Sequence, residues 1–273
     1  MCKAKKLCSY LRWIFAAAVL AVLLFWAFDT RLVTRNYQIE APVEATVRLA
    51  VLTDLHSCAY GEGQEDLLRA VAAIAPDGVL LVGDIVDDVL PEENAFLVLE
   101  ALAREYPCVY VTGNHEYWTG RVDEICEKIA ALGIAVLRGE QVTWTLRGQE
   151  ITIYGVDDAD SGKLEEQLSA FVSAEGETSV LLAHRPEEID LYASHGFTVV
   201  VSGHAHGGQW RLPGLINGLY APHQGWFPNY AGGLYQVEDT AFVVSRGLAR
   251  ESTRVPRIFN PPELVLLELV PEE

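Results

Sequence analysis

The sequence predicts a layered α/β domain, two packed sheets covered by helices, carried behind one apolar N-terminal helix. Three observations predict it. Apolar strands alternate with helical segments through the first half of the chain, in the order β-α-β-α-β-α that favours a mainly parallel sheet. A hairpin and further buried strands follow in the second half. Residues 13–28, WIFAAAVLAVLLFWAF, form an uncharged apolar run near the N-terminus.

With Leu11 and Arg12, that run spans about 27 Å of helix at ~1.5 Å per residue, short but sufficient to cross a bilayer if Arg12 snorkels. Lys3, Lys5, Lys6 and Arg12 form the heavier positive flank; Asp29, Arg31 and Arg35 follow the run. This asymmetry predicts a single-pass cell-membrane anchor with a cytoplasmic N-terminus and the domain outside. A cleaved signal peptide is the nearest rival. Its small-x-small cleavage pattern is missing from Trp26-Ala27-Phe28-Asp29-Thr30, so the anchor is expected to stay. The division expected is 1–29 leader and anchor, 30–46 stalk, and 47–273 the domain.

Within the domain, residues 47–53 (VRLAVLT) read as a buried strand, 64–75 as a helix stopped by Pro76-Asp77-Gly78, and 79–82 as a second strand. Helix 91–106, strand 108–112 and helix 121–132 follow. Residues 142–146 and 151–154 read as a hairpin around Arg147-Gly148-Gln149-Glu150. Then come helix 163–173, strand 179–183, helix 187–194 and strand 197–201. Strands 234–237, 242–244 and 264–270 close the chain.

Of the 273 residues, 38 are acidic and 20 basic, a net charge of −18. That balance argues against a nucleic-acid partner, which needs cations against phosphates. A phosphate-bearing substrate remains compatible, because bound metal ions supply positive charge locally. The five cysteines, Cys2, Cys8, Cys58, Cys108 and Cys126, form no CxxC pair. A disulfide framework is not expected, although one pair among the last three stays open.

The strand ends carry the chemistry. Asp54-Leu55-His56 follows the first strand, Gly83-Asp84 the second, and Gly113-Asn114-His115-Glu116 the third. His184 follows the 179–183 strand, and Gly203-His204-Ala205-His206 the 197–201 strand. In α/β sheets ligands bind beyond the carboxyl ends of strands, where residues distant in sequence meet. Any one piece occurs by chance, and a lone histidine is more often structural than ligating. A solvated rim does not predict five of seven histidines at strand ends.

DxH, GD, GNHE, a lone His and GHxH, in this order, resemble the calcineurin-like metallophosphoesterase superfamily. The resemblance implies a four-layer αββα sandwich and a dinuclear metal site. By motif, Asp54, His56 and His206 hold one metal, and Asn114, His184 and His204 the other, with Asp84 bridging. Ligands without thiolate suit two divalent ions such as manganese, iron or zinc. The reaction implied is in-line attack of metal-activated hydroxide on a phosphoester, phosphodiester or pyrophosphate. His115 is expected to face the leaving group as general acid or transition-state stabiliser, oriented by Asp87 or by Glu116. Asp87 as a plain helix-capping or solvated acid is an equal alternative.

Protein phosphatases of the superfamily carry Arg-Gly where this chain has Asp88-Val89, and Gly where it has Ser57, which speaks against that activity. GHxHGGQ (His204 to Gln209) together with the anchor is similar to bacterial membrane-anchored phosphoesterases. Some of these are UDP-2,3-diacylglucosamine hydrolases. The outside orientation fits a lipid or cell-envelope phosphoester better than a nucleotide-activated lipid. An inactive membrane scaffold would be expected to lack a ligand or His115; none is missing.

Residues 210–235 combine aromatics with glycines and prolines. Two readings fit: a lid touching an apolar part of the substrate or the membrane, or aromatics that simply close the end of the sandwich. The second is the simpler. His223 in this loop, and Arg246 from the run Arg246, Arg250, Arg254 and Arg257, are the substrate-contact candidates. Ordinary surface ion pairing is the alternative for the arginines. His195 before Gly196 reads as a helix C-terminal residue.

Overall fold

The computed structural model describes residues 2–172, 176–250 and 255–272, with side chains from residue 10 onward. Two six-stranded sheets face each other. The first has the order β1-β14-β2-β3-β4-β5. Its strands are β1 (Val33–Ala41), β2 (Val47–Leu52), β3 (Gly78–Val82), β4 (Cys108–Val111), β5 (Ala135–Val136) and β14 (Glu263–Pro271). The second has the order β12-β13-β9-β8-β7-β6. It is built from β6 (Glu140–Leu146), β7 (Gln149–Gly155), β8 (Ser179–Leu182), β9 (Val199–Ser202), β12 (Gly233–Val237) and β13 (Thr240–Val244). Strands β2 to β5 run parallel, as do β7, β8, β9 and β13. A small hairpin, β10 (Tyr220–Ala221) and β11 (Gly225–Trp226), stands apart.

Burial on both faces explains why the central strands are continuous apolar runs. Successive side chains alternate between faces. In β3, Leu80 and Val82 point between the sheets, where they join Val51, Val111, Ile153, Val180, Leu182 and Val201. Val79 and Leu81 point the other way, against α2 (Glu65–Ala73), α3 (Glu93–Glu105) and α5 (Val122–Ala131). Tyr154, Leu181, Val200 and Phe242 of the second sheet meet α6 (Leu164–Ser169) and α7 (Ile189–Ala193) on its outer face. The result is an αββα sandwich with three apolar layers. Each fully buried aliphatic side chain contributes about 1.5–3 kcal/mol. Truncating one between the sheets, such as Leu80→Ala, costs about 2–5 kcal/mol because the rigid neighbours leave a cavity.

Helix α1 (Cys2–Ala27) is longer than its apolar run. Its segment Tyr10–Ala27 has a mean hydropathy of 2.0 and is only 6% buried, so it is no core helix and is long and apolar enough to cross a membrane. Its end is fastened to the domain. The Phe259 N–H donates to the Ala27 carbonyl at 2.7 Å, and the Trp26 and Phe259 rings meet edge to face at 5.8 Å.

The stalk expected over 30–46 is corrected by the structure. Val33–Ala41 forms β1, paired in parallel with β14 along its whole length. The alternation is present from Tyr37, with Ile39 and Ala41 buried and Gln38 and Glu40 exposed. The polar stretch Thr34-Arg35-Asn36 hides it, as befits an edge strand. The 163–173 helix ends at Ser169, and its last expected residue, Ser173, lies outside the described residues, as does Arg254. The hairpin around Arg147-Gly148 is present as β6 and β7. Cys108 and Cys126 are buried free thiols, and burial pushes both up to about 12.

Candidate metal centre

Five loops from the two sheets converge on one point. Each leaves the carboxyl end of a parallel strand: β2, β3 and β4 from the first sheet, β8 and β9 from the second. Backbone bonds fasten them together. The Asp54 N–H donates to Gly83 O at 3.0 Å, His56 N–H to Asp84 O at 2.9 Å, and Gly203 N–H to His184 O at 3.1 Å. The turns are tight enough to force non-glycine residues into positive φ: Asp54 (49°), His56 (48°), Asp84 (52°), His204 (63°) and His206 (47°). Such conformations cost of order 1–3 kcal/mol each and persist only where the surroundings over-determine them, typically at functional sites.

Two groups of side chains result, sharing one carboxylate. Asp54, His56, Asp84 and His206 form the first; Asp84, His184 and His204 form the second. All six are buried. Asn114, also buried, opens the short helix α4 (Asn114–Trp118) beside them. The sequence-predicted ligand candidates are thus brought together.

Hydrogen bonding fixes which atoms remain for a ligand. His184 Nδ1 lies 2.9 Å from the Val82 carbonyl, which can only accept, so Nδ1 carries a proton and Nε2 is the atom turned to the cluster. His56 Nδ1 likewise meets Asp87 Oδ1 at 2.9 Å. Its Nε2 then stands 3.3 Å from Nε2 of His206. Each aspartate uses one oxygen to accept a backbone N–H. Asp54 Oδ1 takes His204 N–H at 2.9 Å, and Asp84 Oδ1 takes His115 N–H at 2.8 Å. Among the described residues Asp54 Oδ2, Asn114 Oδ1 and His206 Nδ1 have no hydrogen-bond partner, and His184 Nε2 faces Asp84 Oδ2 at 3.1 Å. Orphaned buried donors of this kind, all oxygen or imidazole nitrogen, fit divalent transition-metal ions.

Electrostatics point the same way. Burial, together with neighbouring cationic groups, holds His204 and His206 well below the usual histidine range, so both are neutral lone-pair donors. Burial would lower His184 too, but Asp84 and Asp54 outweigh it and raise it to about 10. Burial opposes the charge of Asp84, yet the surrounding imidazoles keep its carboxyl well below the ordinary range. The cluster attracts positive charge.

Close backbone approach makes room for it. A Cβ on Gly113 would collide with Asp84 Oδ1, and one on Gly247 would lie 2.5 Å from Asp54 Oδ2. The Gly247 contact comes from the loop after β13 and has no signal in the motifs.

His115 sits at the rim. Its Nδ1 is 2.7 Å from Asp88 Oδ1 and 3.2 Å from Asp87 Oδ1, and its ring packs 4.2 Å from His56 and 4.6 Å from Trp118. Burial alone would lower it; Asp87, Asp84 and Asp88 raise it to about 9. Asp87 therefore touches both His56 and His115, and Asp88, not singled out from sequence, holds His115 more closely. Glu116 does something else. Its fully buried carboxylate accepts N–H groups of Asp84, Ile85, Val86 and Gly113 at 2.8–3.0 Å, which locks the Asp84 loop to the Asn114 loop.

The opposite rim contains a residue that the sequence reading missed. Arg185, 3% exposed, donates from Nε and Nη2 to Asp158 at 2.8 and 2.9 Å and from Nη2 to Asp160 at 2.9 Å. Its Nη1 lies 2.9 Å from His223 Nδ1 and 3.5 Å from His204 Nε2. Its place directly after His184 was the available signal. His223 stands 3.1 Å from His204, at the edge of the cluster. Arg246 is engaged elsewhere: buried, it pairs with the carboxylate of Glu263 at 2.5 Å. Arg257 is buried and donates to the carbonyls of Ala249 and Arg246, so these two arginines of the run are structural. His195 Nδ1 bonds Leu191 O at 3.0 Å, at the end of α7.

The profile of the calcineurin-like phosphoesterases matches residues 47–208, more than half of the chain. The uncharacterized protein YpbG of Bacillus subtilis is 29% identical over 75% of this chain and 75% of its own length. Phosphodiesterase YaeI of Escherichia coli is 28% identical over 83% of each. A bovine transmembrane protein with a metallophosphoesterase domain is 29% identical over 76% of this chain and half of its own length. Among solved structures, a phosphopantetheinyl hydrolase from Mycobacterium tuberculosis superposes with a TM-score of 0.50 at 14% identity, covering 84% of this chain and 98% of that one, a likeness of fold. Strand-end ligands, shared carboxylate and family match agree: the chain belongs to the calcineurin-like phosphoesterases and is a phosphoric ester hydrolase.

Proposed function

We propose that the chain uses two divalent ions, manganese, iron or zinc, to hydrolyse a phosphodiester or pyrophosphate bond in a membrane-associated or cell-envelope substrate. One observation carries this reading: two buried ligand groups meet on a single carboxylate, Asp84. Asp54, His56 and His206 would hold one ion, Asn114, His184 and His204 the other. Such ions supply positive charge to phosphoryl oxygens and make water a competent nucleophile near neutral pH.

The chain's own residues orient and protonate. Asp87 fixes the His56 tautomer by accepting from Nδ1. Asp87 and Asp88 hold the proton on Nδ1 of His115, so a second proton on Nε2 is available to the leaving oxygen. Arg185 steadies His204 and His223 from behind. The anchor reading places the domain outside the cytoplasm, on the charge asymmetry around α1. The phosphodiester reading draws support from the relative named a phosphodiesterase.

The test is full-length protein in nanodiscs, loaded with manganese, on bis-para-nitrophenyl phosphate. Hydrolysis that Asp84→Asn removes is expected. No hydrolysis by the unaltered protein with any divalent transition metal would sink the reading.

A further inference from the structure

The aromatic segment divides in two. Tyr230 and Tyr235 pack under the second sheet against Phe242, closing the sandwich as the simpler reading expected. Trp226 (69%), Phe227 (64%), Tyr220 and Trp210 are exposed instead. All of these but Phe227 line a cavity of about 370 Å³, together with Leu219 and Val255, with Gly208 and Gln209 as its floor. That volume falls within the ~300–1,000 Å³ of small-molecule sites.

Three placements give the cavity a role. Its floor is the turn that carries the candidate ligand His206, two residues before Gly208. Its outer wall is the β10–β11 hairpin, and the same hairpin carries His223 against His204. One rigid piece therefore borders both the metal-ligand cluster and the cavity: Ala221 is fully buried, and the Tyr220 and Trp226 rings pack at 5.6 Å. The third placement is the end of α1. Trp210 bridges to Ile258 and donates its indole N–H to Pro256 O at 3.0 Å, and the next residue, Phe259, holds Ala27. A residue that lines the cavity, Trp210, is thereby linked through Ile258 and Phe259 to the end of the apolar helix.

We propose that this cavity binds a hydrocarbon chain of the substrate, so that an amphiphilic phosphoester lies with its phosphate at the metal-ligand cluster and its chain between Tyr220, Trp226 and Val255. The inference rests on the phosphodiesterase reading above. Each buried methylene is worth about fourfold in binding. Polar walls would not reward chain length; these walls do.

The experiment uses the manganese-loaded full-length protein in nanodiscs with two diesters, para-nitrophenyl methyl phosphate and para-nitrophenyl octyl phosphate. The readout is the ratio of their kcat/KM values within each variant. A preference for octyl of at least about tenfold is expected in the unaltered protein, falling to about threefold or less in Trp226→Ser. Val255→Trp, which fills the cavity from its exposed rim, should lower the ratio equally. No preference in the unaltered protein overturns the proposal. A preference that survives in both variants also overturns it, because chain partitioning into the bilayer then explains the ratio. Hydrolysis of neither diester by the unaltered protein is failure of the phosphodiesterase reading itself, a distinct result.

Discussion

The two rims of the metal-ligand cluster give their histidines different partners. On one side His115 is held between Asp87 and Asp88 and packed on His56 and Trp118. On the other, His223 is more than half exposed and faces both the Arg185 guanidinium at 2.9 Å and a Glu187 carboxylate oxygen at 3.5 Å. Carboxylates keep His115 protonated and aimed, whereas the Arg185 guanidinium donates toward the His223 ring. The two histidines thereby sit in different surroundings. The first suits proton delivery, and the second stands exposed at the edge of the cluster.

Mutations sharpen this contrast. The reference point is the residue between the rims. Removing one element of transition-state stabilisation costs about 10²–10³-fold, and Asp84 serves both ligand groups, so Asp84→Asn should lower kcat by ~10⁴-fold with loss of bound metal in elemental analysis. His115→Ala should lower kcat by about 10²–10³-fold with metal content retained. If a substrate with a better leaving group does not narrow that gap, His115 is not the proton donor. Asp87→Asn should lower activity about 10–100-fold and weaken metal affinity, because it touches His56 as well. Asp88→Asn, where the carboxylate meets His115 and Asp87 is the one that meets His56, should leave metal titrations unchanged. Identical titration curves for the two variants would break the distinction drawn between them. His223→Ala should have the smallest effect, less than about tenfold and mainly in KM. A kcat loss equal to that of His115→Ala would erase the contrast between the rims.

Much of this site was legible because each ligand candidate follows a buried strand within a few residues. Asp54, Asp84, Asn114, His184 and His204 carry their position in the local pattern of apolar run, glycine and polar residue. What was hidden depends on contacts between distant segments. Glu116 looked like a partner for His115 because they are neighbours in the chain, yet helix geometry points it backward to four N–H groups. Arg185 is anchored by Asp158, a pairing that no periodicity announces. Gly247 meets Asp54 only because two sheets pack. Arg246 looked available as a cation in an acidic protein; Glu263, on the strand that pairs between β1 and β2, engages it. The β1 edge strand escaped notice because half of its residues face water.

That last strand has a consequence for assembly. β14 lies between β1 and β2, pairing parallel with one and antiparallel with the other, so Asn36 meets Glu268 across 232 positions of sequence. The first sheet thus has a vacant slot until residues 263–271 have left the ribosome. Loop closure over such distances is slow. Residues 33–41 must wait for residues 263–271, so the frame that carries the metal-ligand cluster closes only after the whole stretch between them has been made.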